Sequence, residues 1–171
     1  MGVQGTFLSD ETGPRAHPPS VVVYTDGGCD PNPGPGGWAA ILCFPDRKVV
    51  LTGNAPDTTN NRMELEAAIA ALAYLYARHS ACQVVVHTDS EYVRLGITKW
   101  LKDWQARGWL TREKQAVKNR DLWQALARLV EEHRVRWRWV QGHAGDPLNE
   151  RVDRLATEAR SRLGRDTVPV A

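Results

Sequence analysis

Apolar and polar positions along this chain change period several times, and the changes mark out its elements. Val21 to Thr25 is a short β-branched run, followed by apolar stretches at Trp38 to Leu42 and Lys48 to Gly53. Gly/Pro-rich and charged residues separate them, which predicts a three-stranded antiparallel meander with a turn across Gly27 to Gly37. From Thr59 to Arg78 the period becomes helical, with Leu65, Ile69, Leu72 and Leu75/Tyr76 on one stripe. Val84 to Thr88 is a fourth strand, apolar enough to be buried on both faces. Ser90 to Glu132 reads as helix in pieces, broken near Gly96 and Gly108, with a loop over Thr111 to Asn119 and a last helix from Arg120. Arg134 to Val140 alternates strictly: the arginines 134, 136 and 138 share one side, and Val135, Trp137 and Trp139 share the other, the buried one. Leu148 to Leu163 closes the pattern as a helix whose inner stripe is Val152, Leu155, Ala156, Ala159 and Leu163.

Three strands followed by alternating helix and strand define an α/β fold, a mixed sheet with helices packed on it. The order fits one domain over residues 21–164. Met1 to Ser20, rich in Gly, Pro, Ser and Thr without periodicity, reads as a flexible extension, and 165–171 as a flexible tail.

Composition narrows the class. The 171 residues are 42% apolar and 25% charged, and no apolar run reaches the ~18 residues of a membrane span. The opening residues lack the basic start and apolar stretch of a secretory signal, so the expectation is a cytoplasmic protein with no membrane partner. Cys29, Cys43 and Cys82 form no C-x-x-C pair, which suits a reducing compartment. Net charge is only +2, yet Lys99 to Arg120 holds seven cations against two anions. That local +5 points to a basic patch able to meet a polyanion, rather than a generally cationic surface.

Four acids stand out by position. Asp26 ends the first strand, Asp89 the fourth, Glu64 lies early in the long helix, and Asp153 lies on the last one. Each also has an ordinary reading: a turn former at Asp26, a helix cap at Asp89, half of a capping box at Glu64 with Asn61, a solvated helix residue at Asp153. Glu64 and Asp153 lack the forward i+3 or i+4 cation that commonly accompanies a surface acid, whereas Glu150 has Arg154 and Glu158 has Arg162. If the first and fourth strands are adjacent and parallel, Asp26 and Asp89 meet beyond their carboxyl ends, where open α/β sheets gather ligands. A carboxylate cluster needs cations to stay ionised, and its hard oxygens suit Mg²⁺ or Mn²⁺.

Tyr24-Thr25-Asp26-Gly27-Gly28 with Asn32-Pro33-Gly34-Pro35-Gly36-Gly37-Trp38, then Thr59-Asn60-Asn61-Arg62-Met63-Glu64-Leu65, Thr88-Asp89-Ser90-Glu91-Tyr92-Val93, and Gly142-His143-Ala144-Gly145 with Asn149-Glu150-Arg151-Val152-Asp153 resemble, in order, the motifs of the bacterial-type (type 1) ribonuclease H family. The resemblance spans about Val21 to Leu163. It implies a five-stranded sheet, three antiparallel strands and then parallel ones, and hydrolysis of the RNA strand of RNA–DNA hybrids to 5′-phosphate and 3′-hydroxyl ends. Asp26, Glu64, Asp89 and Asp153 would then be catalytic carboxylates holding two Mg²⁺ ions, with Mn²⁺ able to substitute. His143 would assist proton transfer or release of metal and product.

By the same resemblance Cys29 (through its backbone), Asn32, Asn60 and Asn61 would contact RNA hydroxyls, and Thr59 and Asn119 would receive a DNA-strand phosphate. Trp100 and Trp104, one helical turn apart, would lie beside the DNA strand, while Trp109 and Trp123 belong in the core. Lys118 and the basic insert would grip phosphates, although Trp104-Gln105-Ala106-Arg107 carries a single cation where relatives carry a cluster. A monomer without an obligate protein partner is the simplest assembly. Two other readings share the fold: a catalytically silent hybrid-binding protein, and a DNA strand-transfer or junction-resolving enzyme. Retention of all four acids weighs against the first, and the Asn-Asn-Arg-Met-Glu and Gly-His-Ala-Gly motifs weigh against the second.

Overall fold

The computed structural model describes residues 18–141 and 145–164. Strands β1 (Ser20–Cys29), β2 (Gly34–Cys43) and β3 (Lys48–Thr58) form the meander. Helix α1 (Asn60–His79) then leads to β4 (Gln83–Thr88). Helices α2 (Glu91–Leu95), α3 (Leu101–Ala106) and α4 (Arg120–Glu132) precede β5 (Arg134–Trp139), and α5 (Pro147–Ser161) ends in a 3₁₀ turn, Arg162–Gly164. The sheet order is β3-β2-β1-β4-β5, antiparallel within the meander and parallel from β1 to β4 to β5. This is the mixed five-stranded arrangement expected. The two ends of the chain assigned as flexible lie outside the described residues, apart from Pro18 to Ser20, where β1 already begins, and so do residues 142–144, which include His143.

The main core lies between the sheet and α1 with α4. Val21, Val23, Val84 and Val86 face Leu65, Leu72, Leu75, Trp123 and Leu126, all fully or nearly fully buried. A smaller cluster seats α5 on the other face through Val152 and Ala156 against Tyr24, Ala39 and Ile41. Burying a large aliphatic side chain contributes about 1.5–3 kcal/mol, so these two layers hold the sheet rigid between the helices that carry acids.

Several expectations need correction. The span from Gly27 to Gly37 is mostly strand, because Gly27, Gly28 and Cys29 pair with Trp38, Gly37 and Gly36 across the ladder and only residues 30–33 form the turn. Glycine there reflects close approach of helices rather than a long loop. β3 also runs on to Thr58, beyond the expected end at Gly53. β4 alternates instead of being buried on both faces: Val84, Val86 and Thr88 are buried, while Val85 and His87 are half-covered. Gly96 does not break the helix; α2 passes through a π-helical turn, Gly96–Trp100, directly into α3. The glycine serves packing, since a Cβ at Gly96 would sit 2.0 Å from the Trp123 ring. Chain reversal comes at Gly108, which takes φ +66. Trp139 is 43% exposed where Val135 and Trp137 are half-buried, because it is the last residue of β5 and its ring lies under the Arg94 guanidinium instead of entering the core. Trp123 is core as expected, and Trp109 is half-buried against it.

Candidate metal centre and substrate surface

β1 and β4 run parallel with Tyr24 opposite His87, the last pair of their ladder. Asp26 and Asp89 each follow two residues later, so the shared register delivers both carboxylates side by side at the carboxyl ends of adjacent strands. α1 crosses this end close enough that its backbone at Met63 and Glu64 rests on Gly27. Carboxylate oxygens of Asp26, Glu64 and Asp89 therefore lie within 4.8 Å of one another. Asp153 is not part of that cluster: exposed on α5, it lines with Asp26 and Asp89 a cavity of about 190 Å³ whose wall also includes Gly28, Asn149 and Arg160.

Two of the ordinary readings, those of Glu64 and Asp89, lose their footing, whereas Asp153 is exposed on α5 as a solvated helix residue would be. Thr59, not Asn61, caps α1, its side chain accepting from the Arg62 N–H at 3.2 Å, so Glu64 lies past the capping-box position. Ser90, not Asp89, caps α2, accepting from the Val93 N–H at 3.2 Å.

Electrostatics at the cluster are unfavourable without a cation. Burial first, then the charge of Asp89 and a hydrogen bond to Asp153, push Asp26 from 3.8 up to about 8. Burial and the charges of Asp26 and Asp89 likewise push Glu64 well above the usual carboxylate range. Glu64 is partly exposed as a residue, yet its Oε2 is sealed from water and has no hydrogen-bond partner among the described residues. A shielded, partnerless carboxylate oxygen beside two further carboxylates is an all-oxygen donor set, and it fits a hard divalent cation. Asp89 is braced from behind by the Trp139 indole N–H, which donates to its carbonyl at 3.3 Å.

The remaining sequence candidates fall into two groups flanking this centre. In the first, the Asn32 Oδ1 accepts from the Asn60 N–H at 3.2 Å, and the Asn60 Oδ1 accepts from the Cys29 N–H at 2.6 Å. These bonds tie the β1–β2 turn to the start of α1, with Asn61 half-buried next in line. The second group joins Thr59 to Asn119 through Arg62. The Arg62 guanidinium donates to the Asn119 Oδ1 at 3.3 Å and forks onto Asp121 at 3.0 and 2.8 Å. Asn119 takes a left-handed conformation, φ 58, at the head of α4, and its Nδ2 donates to the Tyr92 hydroxyl at 3.1 Å. Trp100 and Trp104 are half-buried and tilted together at 5.7 Å, and Trp104 continues onto Trp123 at 5.4 Å, so that pair is anchored on the core. Lys118 is exposed next to Asn119.

Sequence reasoning passed over Tyr92, Trp139, Asn149 and Arg160. Asn149 and Arg160 stand four before and seven after Asp153, on one face of α5, and that helical spacing is the signal that could have found them.

Such a centre, hard carboxylates at the strand ends of a mixed sheet, is of the kind built for divalent-metal chemistry on phosphate esters. The model of the RNase H family matches residues 18–161. Ribonuclease HI of Caulobacter vibrioides is 56% identical over 140 residues, 82% of this chain and 92% of that protein. Ribonuclease HI of Pseudomonas aeruginosa is 56% identical over 145 residues, 85% and 96% of the two chains. Among solved structures, LC9-RNase H1, described as a type 1 RNase H with the type 2 active-site motif, superposes with a TM-score of 0.75 at 36% identity, over 85% of this chain and 74% of that one. LC11-RNase H1, solved with an RNA/DNA hybrid, shares the fold at TM-score 0.65 and 22% identity, over 84% and 98% of the chains. The chain belongs to the ribonuclease H family, in its bacterial type 1 branch, and it is an enzyme of that family. No described helix is long and apolar enough to cross a membrane.

Proposed function

We propose that this enzyme hydrolyses the RNA strand of RNA–DNA hybrids, leaving 5′-phosphate and 3′-hydroxyl ends, as a cytoplasmic monomer using two Mg²⁺ ions. The convergence of Asp26, Glu64 and Asp89 oxygens within 4.8 Å, with Asp153 across the cavity, carries this reading. The relatives named Ribonuclease HI support the substrate class. When bound, Mg²⁺ would supply Lewis-acid charge and make water a nucleophile near neutral pH. Asp26, Glu64, Asp89 and Asp153 would hold it through their carboxylate oxygens beside the phosphodiester. Cys29, Asn32, Asn60 and Asn61 present donors and acceptors to 2′-hydroxyls, the groups that tell RNA from DNA. Thr59 and Asn119 receive a phosphate of the DNA strand, with Trp100 and Trp104 beside it. His143 moves protons at the leaving group or releases product.

The test is a labelled hybrid beside RNA–RNA and DNA–DNA duplexes, with Mg²⁺, with Mn²⁺ and with chelator. Metal-dependent cutting confined to the hybrid's RNA strand is the expected result. Cutting of duplex DNA, or hybrid binding without cutting in either metal, would overturn the proposal. The basic insert gives a second expectation. Neutralising the exposed Arg112, Lys114 and Lys118 together should weaken hybrid binding and lower the slope of log K against log salt by about 2–3. An unchanged slope would leave the insert as a solvated face.

A further inference from the structure

The wall of the acidic cavity contains one cation among the described residues, Arg160. It lies seven residues beyond Asp153 on α5, two turns along the same face, or about 10 Å. Its backbone is held rather than loose, because a Cβ at Gly37 would sit 2.5 Å from the Arg160 nitrogen, so α5 rests directly on β2 there. Arg160 is half-buried and also lines the adjoining depression with Asp30, Pro35 and Pro56, beside the turn that carries Asn32. Burial raises the Cys29 thiol, and the Arg160 cation, near enough to act on it, works against that rise.

A structural arginine in an acidic cavity would be expected to pair with an acid. Arg160 forms no ion pair within 4.0 Å among the described residues, although Asp26, Asp89, Glu150 and Asp153 line the same cavity. A guanidinium carried on this firmly seated stretch of α5, and in no ion pair among the described residues, has the fork geometry that takes a phosphate through two parallel hydrogen bonds.

We infer that Arg160 is a substrate-binding residue that receives a backbone phosphate of the RNA strand next to the scissile one, on the side of the Asn32 turn. The inference rests on the ribonuclease reading above. A strand laid across the carboxylates and continuing past Cys29 passes over this guanidinium, whereas the DNA-side group of Thr59, Arg62 and Asn119 sits at the heads of α1 and α4. The contact fixes how far the strand is drawn through the site, and partly offsets the sparse charge of the basic insert.

Binding of wild-type protein, Arg160→Ala and Arg160→Lys to a hybrid is measured in EDTA over a salt series, with methylphosphonates placed one at a time along the RNA strand. Arg160→Ala should weaken binding about 5–10-fold and lower the salt slope by about one, with an unchanged melting temperature. Arg160→Lys should keep the slope and recover part of the affinity. One methylphosphonate position near the cleavage site should weaken wild-type binding and leave Arg160→Ala indifferent. With Mg²⁺ the alanine variant should raise KM far more than it lowers kcat. An unchanged slope, or weakening spread evenly over all methylphosphonate positions, would overturn the assignment while leaving the ribonuclease reading intact. Wild-type protein that neither binds nor cuts the hybrid would overturn both.

Discussion

Asp26→Asn should abolish hybrid cleavage, by about 10³-fold or more, and yet make the metal-free protein more stable at neutral and alkaline pH. The two effects have one cause. Asp26 is buried beside Asp89 and Asp153, and its carboxyl is pushed from 3.8 to about 8. The folded protein therefore holds a proton that the unfolded chain releases near pH 4. An acid whose pKa is raised by folding leaves stability intact below its unfolded pKa and costs stability as pH rises towards its folded one. The loss accumulates between about pH 4 and pH 8. Asparagine keeps the polar shape and removes the charge, so the melting temperature of the variant in EDTA should exceed that of wild type by roughly 5–10 °C at pH 8, with little difference at pH 4. Saturating Mg²⁺ should close or reverse the gap at pH 8, because it stabilises only the protein with the full carboxylate set. Differential scanning calorimetry across pH, with and without Mg²⁺, checks each part. Near-normal turnover, or a variant less stable than wild type in EDTA at pH 8, would remove Asp26 from the metal centre.

Wherever one element's own residues decide its form, the sequence is informative. The stripe of Leu65, Leu72 and Leu75 fixes α1 and its inner face, and all three are buried as the period requires. β5 alternates as expected through Val135 and Trp137. The failures come where a partner element decides. Glycines 27, 28, 36 and 37 read locally as a turn because glycine favours turns, but backbone pairing asks nothing of side chains, and the ladder continues through them. Gly96 reads as a helix breaker until Trp123, 27 residues away, is seen to fill the space above it. Trp139 follows the period of β5 and is exposed all the same, since it is the strand's last residue and its ring lies under Arg94 instead of in the core.

The acids divide in the same way. Their positions at strand and helix ends were legible, but convergence depended on a parallel β1–β4 register that no local pattern encodes; the resemblance of the motifs supplied it. Arg160 lies outside every motif, and its only signal is its helical spacing, seven residues from Asp153 on one face of α5.

Gly27→Ala should be at least as damaging to the fold as Asp26→Asn is to catalysis. A methyl group built on Gly27 would lie 2.4 Å from the Met63 carbonyl carbon, 2.6 Å from its oxygen and 2.7 Å from the Glu64 nitrogen. All three are backbone atoms inside α1, so no side-chain rotation relieves the contact, and the helix must lift from β1. Overpacking of a rigid core costs about 1–3 kcal/mol when side chains can adjust, and a clash between two backbones belongs at or above the top of that range. A fall in melting temperature of about 6–12 °C is expected for a domain of this size. The same displacement carries Glu64 away from Asp26 and Asp89, so activity should be lost well below the melting temperature, and Mg²⁺ should stabilise the variant less than it stabilises wild type. Gly28→Ala is the control one residue along: its methyl would meet only the Asn60 Oδ1, at an ordinary 3.6 Å. It should keep most of its stability and its response to Mg²⁺. If both variants melted and bound Mg²⁺ alike, the close seating of α1 on β1 would not be what brings Glu64 to the other carboxylates.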